Sequence, residues 1–221
     1  MIEVNEPRLL SVQVGRPRTM EWEGQTWTSD IYKAPVSERL FLDRTNLNGD
    51  KQANTRHHGG PDKAVCCFSI EHYPFWREEL GRGEDFTFGA FGENFTLAGM
   101  TEERVCIGDV YAVGTARVQV SQPRQPCINL ARKWGHEEMP RRMQQLGHSG
   151  FYLRVLQTGE VGTGDAFALL ERPNPQITVA VVNAAIYNKA GGPEMAKRLA
   201  TLSELARSCR WIFVRRLGSR H

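Results

Sequence analysis

The sequence predicts a mainly β protein with helices (α+β), in which a barrel or sandwich of short strands precedes a small helical unit. Three observations carry this. Up to about residue 172, short apolar runs alternate with glycines, the punctuation of strands that turn back on themselves. At Arg172-Pro173-Asn174-Pro175 the character of the chain changes. Beyond it, three segments carry helical patterning and helix-start residues. The expected division is therefore a strand-rich domain over residues 8–172 and a three-helix extension over residues 173–221.

The elements follow in order. Residues 9–14 read as a strand ended by Gly15-Arg16-Pro17, and Trp22-Glu23-Gly24-Gln25-Thr26-Trp27 as a hairpin about its glycine. Residues 64–68 are continuously apolar, as in a strand buried on both faces. They lead into a helix through Leu80 that Ser69 is placed to cap. Residues 105–113 and 116–120 read as paired strands around Gly114. Residues 151–156 and 166–170 read as a second pair, joined through Gly159, Gly162 and Gly164. Helices are expected over residues 128–134 and 137–146. In the extension they are expected over residues 178–188, 193–200 and 203–215, with Thr178 and Ser203 as N-caps and Pro193 in a first turn.

Composition narrows the function classes. The 221 residues are 40% hydrophobic and 24% charged, ordinary globular values. No apolar run is long enough for a membrane helix, and the acidic start Met1-Ile2-Glu3-Val4 lacks a signal core. Five cysteines, an odd number with Cys66 and Cys67 adjacent, do not form a disulfide framework; a reducing cytoplasm is expected. A net charge of +3 is too small to argue for nucleic acid. The arginine-rich stretch 207–220 is read as a solvated helix end, with a nucleic-acid patch or a partner surface as alternatives. There is no nucleophile-elbow serine motif, dinucleotide fingerprint or phosphate loop of the Walker type.

Three polar stretches carry candidate chemistry. In Ser121-Gln122-Pro123-Arg124-Gln125-Pro126-Cys127, two prolines make a rigid non-helical arch before a thiol. A guanidinium three residues upstream favours the thiolate, the form that attacks electrophiles or binds metals. The plain alternative is a small buried hydrophobe. In residues 48–63, Arg56, His57, His58 and Lys63 surround Gly59-Gly60, which suits an anionic ligand approached by backbone N–H groups. A solvated loop is the alternative, and His57-His58 lack metal-site spacing. In Phe91-Gly92-Glu93-Asn94-Phe95, an acceptor and an amide between aromatics could read a heterocycle edge or simply anchor a loop. Asp109 is read as fixing the arch, as contacting the site, or as a purely structural turn residue. The remaining cysteines, Cys66, Cys67, Cys106 and Cys209, are read as structural.

Taken together, His58-Gly59-Gly60-Pro61-Asp62-Lys63-Ala64-Val65, Phe91-Gly92-Glu93-Asn94 and the arch ending in Cys127 resemble the MOSC family, the domain found at the C-terminus of molybdenum-cofactor sulfurases. The resemblance covers residues 8–172, and the trailing helices resemble the three-helix extension of its YiiM branch. It implies a MOSC-type β-barrel that binds a molybdenum–pterin cofactor, with Cys127 as the metal's sulfur ligand. Arg56, His58, Gly59, Gly60, Lys63 and Arg124 would hold the cofactor's anionic end, and Glu93 and Asn94 its pterin. The implied activity is reduction and detoxification of N-hydroxylated bases, amidoximes and hydroxylamines. His57, His58 or a water would supply the proton. No iron–sulfur cysteine pattern is present, so electrons would come from a separate donor. A homodimer is a reasonable expectation. The competing readings are persulfide sulfur transfer at Cys127 and a non-enzymatic cofactor carrier.

Overall fold

Strands and helices alternate in blocks along the computed structural model, which describes residues 6–54, 59–83 and 86–218. The first block holds β1 (Arg8–Val14), β2 (Arg18–Trp22), β3 (Gln25–Ser29), β4 (Ala34–Val36), β5 (Leu40–Leu42) and β6 (Val65–Ser69). After α1 (Tyr73–Glu79) come β7 (Phe95–Ala98), β8 (Val110–Val113) and β9 (Ala116–Pro123). Helices α2 (Ile128–Trp134) and α3 (Met139–Leu146) precede β10 (Phe151–Gln157), β11 (Gly159–Val161) and β12 (Ala168–Glu171). The chain ends in α4 (Val179–Tyr187), α5 (Gly192–Thr201) and α6 (Arg207–Gly218).

One eight-stranded sheet, ordered β12-β8-β9-β10-β6-β7-β1-β4, forms the body. It curls until Arg8 in β1 bridges Ala166, just ahead of β12. Leu9 N–H donates to the Asp165 carbonyl at 2.8 Å and Gly164 N–H to the Leu9 carbonyl at 2.7 Å. These bonds satisfy backbone groups that an open edge would leave exposed. The expected mixed α+β, barrel-like fold is therefore present. The 22–27 hairpin is also present, and its turn residues Glu23 and Gly24 both have positive φ, 49° and 74°, as a two-residue hairpin turn requires.

Strand β6 is buried along its whole length, between β10 and the parallel β7. Its side chains alternate between two environments. Val65 and Cys67 enter the main core, while Phe68 enters a second cluster with Tyr73, Trp76, Phe91, Leu130 and Met143. The main core runs from Leu9, Phe95, Val118 and Phe151 in the sheet to Val182, Leu199 and Phe213 in the last three helices. Residues 173–218 thus share the barrel's core.

Several local expectations are corrected. Residues 105–113 are not one strand: the Asp109 carboxylate accepts from Cys106 N–H at 2.9 Å and Gly108 has φ +90°, so a turn precedes β8. Residues 151–156 and 166–170 do not pair with each other. β10 lies between β9 and β6 and β12 pairs with β8, because the intervening β11 leaves to pair with β5. Ser69 does not cap a helix with its side chain; its hydroxyl bonds Glu71, and a 3₁₀ turn precedes α1. The helix expected from residue 137 begins at Met139. Ser203 is not an N-cap, because Leu205 and Ala206 are buried in a turn and Ala206 N–H donates to the Ser121 carbonyl at 2.8 Å. Thr178 does cap α4, accepting from Val181 N–H at 3.2 Å. Asp109 belongs to the frame: its buried carboxylate receives Arg172 Nε and Nη2 at 2.9 and 2.7 Å, tying the start of the extension to the sheet.

A partly buried histidine, His148, makes stability depend on pH. His72 and His148 stack with ring centroids 3.9 Å apart, and His72 Nε2 lies 2.6 Å from Glu102 Oε2. Burial and the neighbouring His72 lower the His148 pKa, against weaker opposing effects of Glu102 and Glu103. A depressed histidine pKa means that the unfolded chain binds the proton more readily. Stability from this group is complete above the unfolded value of about 6.5 and is lost as pH falls through the folded one. Thermal unfolding followed between about pH 7.5 and 5 should show a falling midpoint that His148→Gln flattens. An equal slope in the variant would refute the assignment.

Candidate functional site

Strand β9 delivers the arch. Its last residue, Pro123, still pairs with Phe151, and Arg124 N–H then donates to the Gly150 carbonyl at 2.9 Å. Gly150 has φ +78°, and a Cβ there would lie 2.3 Å from the Cys67 carbonyl oxygen; only glycine permits the approach. Cys127 remains extended, at φ −122°, and its carbonyl accepts from Leu130 N–H in the first turn of α2. The prolines thus make the expected non-helical arch, and the thiol sits where chain direction changes.

Cys127 lines an open pocket together with Lys33, Lys63, Cys66, Arg124 and Tyr152. Each arrives from a different element. Lys33 comes from the loop before β4, Lys63 from the 3₁₀ turn Pro61–Lys63, Cys66 from β6 and Tyr152 from β10. Arg124 is 7% exposed, and its Nη2 donates to the Phe91 carbonyl at 2.6 Å. Its Nη1 is buried without a protein partner. Most other polar groups here are already engaged. Asp50 receives Lys33 Nζ, Gly15 N–H and Asn94 Nδ2. Burial raises the Cys66 pKa, with Arg124 opposing, and burial lowers that of Lys63.

The residues singled out from sequence separate into groups. Cys127, Arg124, Lys63 and Asn94 meet at this pocket. Asn94 has little capacity to spare: Oδ1 accepts from Cys66 N–H, and Nδ2 donates to Gln13 O and Asp50 Oδ2. Gly59 and Gly60 line a neighbouring groove that shares Lys63 with the pocket. Arg56, His57 and His58 lie outside the described residues.

Glu93, which the resemblance implied would hold the pterin, is fully buried and does not line the pocket. Its carboxylate accepts from the Tyr73 hydroxyl, Gly89 N–H, Phe91 N–H and Thr96 Oγ1. It holds the loop in which Phe91 stacks on Phe68 at 3.8 Å. An acid flanked by aromatics served as an anchor because four donors converged on it. Sequence reasoning missed Lys33, Cys66 and Tyr152. For Cys66 a signal existed: on a strand buried on both faces, adjacent cysteines must point opposite ways, so one of them leaves the main core.

Residues 54–168 match the MOSC domain family. The chain belongs to that family. The matched MOSC segment carries Lys63, Cys66, Arg124, Cys127 and Tyr152, all of which line the pocket, whereas Lys33 lies outside that segment. YflK of Bacillus subtilis is 45% identical over 94% of this chain and 93% of its own length. YiiM of Escherichia coli is 35% identical over 81% of this chain and 80% of its own. A Gibberella moniliformis protein named a reductase is 38% identical over 80% of this chain, which spans about a third (32%) of it. The crystal structure of YiiM from Geobacillus stearothermophilus superposes with a TM-score of 0.81 at 40% identity, covering 96% of this chain and 99% of that one. The chain is therefore a YiiM-like MOSC protein.

Glu93→Gln tests the anchoring role. One carboxylate oxygen becomes an NH₂ that faces donors, so unfolding stability should fall by about 2–4 kcal/mol. Chemical denaturation measures it; unchanged stability would return Glu93 to the list of ligand-binding candidates.

Proposed function

We propose that this protein is a molybdenum-cofactor-dependent reductase of N-hydroxylated compounds, with Cys127 as the sulfur ligand of the metal. One observation carries the reading: an open pocket joins a partly buried thiol to the buried guanidinium of Arg124, one of whose nitrogens has no protein partner. Membership of the MOSC family and a relative named as a reductase support it.

The donor set fits such a group. A thiolate is a soft ligand of the kind that second- and third-row metals accept. Among the described residues no set of three His, Cys, Asp or Glu could hold a metal; a pterin-borne metal brings its other ligands with it. Arg124 Nη1 and Lys63 would bind the anionic end of the cofactor, whose burial cost a paired phosphate offsets. When bound, the molybdenum–pterin group supplies the redox chemistry that cleaves an N–O bond. The protein fixes the thiol through the arch, walls the pocket with Tyr152 and β6, and keeps cations beside the anionic group.

The overall reaction takes R–NHOH, two electrons and two protons to R–NH₂ and water. The electrons come from a separate donor protein or reductant, and the protons from solvent or from His57 or His58. No helix among the described residues is long and apolar enough to cross a membrane. A cytoplasmic location belongs to the same proposal.

Reconstitution with molybdenum cofactor, elemental analysis and an assay on an N-hydroxylated purine test this. Wild type should hold about one molybdenum per chain and reduce the substrate, and Cys127→Ser should lose at least about 100-fold in kcat/KM. Cyanolysable sulfur on a molybdenum-free protein would favour sulfur transfer instead. Bound cofactor without turnover under any reductant would favour a carrier.

A further inference from the structure

The groove beside the cysteine pocket has features that reduction chemistry does not use. One wall is the turn Gly59–Lys63, the other is α6, and the space between them is open to solvent. Arg207, Trp211 and Arg215 follow one another at intervals of four along α6, so they share one face. Trp211 is 57% exposed, the most exposed large hydrophobic side chain among the described residues. The same helix buries Phe213 completely, so it had an apolar core to enter on its other side.

This face is held rigidly. Cys209 and Phe213 enter the main core, and Arg216 donates to the Ala185 and Ile186 carbonyls at 2.7 and 2.9 Å. Ser208 Oγ donates to Gln122 Oε1 at 3.1 Å, and Arg207 N–H donates to Asp62 Oδ2 at 3.3 Å. The first of these bonds reaches the strand that leads into Cys127. Asp62 is the acid in the groove, and its other oxygen pairs with Arg154 at 2.8 Å. Among the described lining residues, Lys63, Arg207 and Arg215 bring three cationic side chains to the groove beside the single acid Asp62. Lys63 lines the cysteine pocket as well, so the two spaces meet at that residue.

We infer that this groove binds the nucleotide form of the substrate: an aromatic base stacked on Trp211, with its phosphate bound by Arg207 and Arg215. The inference rests on the reductase reading, and it adds that the substrate is a nucleoside monophosphate bearing the N-hydroxylated base, in preference to the free base. An exposed indole offers a π-face to any base and is selective for none. Flanking guanidiniums bind phosphate in bidentate fashion and discriminate strongly against an uncharged ligand. The arrangement thus selects for the phosphate and tolerates variation in the base.

Binding can be read without turnover. AMP serves as the probe, titrated by calorimetry into the full chain with and without molybdenum cofactor, beside adenine, adenosine and a short single-stranded oligonucleotide. AMP should bind at least about tenfold more tightly than adenosine. Trp211→Leu and the double substitution Arg207→Gln/Arg215→Gln should each lower its affinity about tenfold. Arg198→Gln, on the exposed side of α5, should not change it. With cofactor loaded, the N-hydroxylated nucleotide should exceed the N-hydroxylated base about tenfold in kcat/KM. Equal binding of AMP and adenosine overturns the inference. So does displacement of AMP by the cofactor, which would make the groove part of the cofactor site. Tight, steeply salt-dependent oligonucleotide binding with no AMP binding also overturns it, in favour of a nucleic-acid strand. AMP binding without any reductase activity would retain the groove and refute the reductase reading, so the two failures are distinct.

Discussion

Arg124 sits 7% exposed beneath the cysteine pocket, and three segments of the chain meet on its polar groups. Its main-chain N–H holds the end of β9 to Gly150, its Nη2 holds the Phe91 carbonyl, and its Nη1 has no protein partner. Removing a charge from water costs several kcal/mol, and an unpaired buried donor adds about 1–3 kcal/mol. Both costs fall on one side chain, which leaves a donor unpaired at the pocket. Burial alone would lower the pKa of this guanidinium, but nearby Cys66, Tyr152, Cys127 and Glu93 carry it upward. It is a fixed positive charge at the pocket.

The loop that Arg124 grips depends in turn on Glu93. Four donors saturate this carboxylate, and the aromatic cluster of Phe68, Tyr73 and Phe91 packs around it. A buried acid in an aromatic cluster is tolerable only when every oxygen is bonded. Glu93 therefore acts on the site from behind, by fixing the carbonyl that Arg124 needs. Lys133 lies on the same side, donating to the Gly89 carbonyl at 2.8 Å with its pKa lowered to about 8 by burial.

The last three helices extend this logic to the neighbouring groove. Among the described residues, their buried apolar side chains belong to the barrel's core, and Asp109 with Arg172 fixes the point at which they begin. α6 is locked to Asp62 and Gln122, so its arginine and tryptophan face stands beside the turn that carries Lys63. The barrel positions the thiol, and the extension builds a second wall next to it.

What the sequence determined by itself was local. Strand and helix periodicity located most elements, the prolines of 123–127 predicted a non-helical arch, and α2 was read at its observed bounds of Ile128–Trp134. These depend on backbone restrictions within a few residues. The ordered motifs around Lys63, Glu93 and Cys127 also carried the family. Pairing was a different matter. Whether residues 151–156 join 166–170 or enter the sheet between β9 and β6 depends on contacts far apart in the chain. So does the fate of each polar side chain. Glu93 and Arg124 both read as ligand-binding residues, yet one is saturated by its own loop and the other keeps an unpaired donor at the pocket. Cys66 and Lys33 reach the site only because β6 and the loop before β4 converge on it. Hydrogen-bond capacity is used up or spared by neighbours brought from dozens of residues away, and only the tertiary structure decides which.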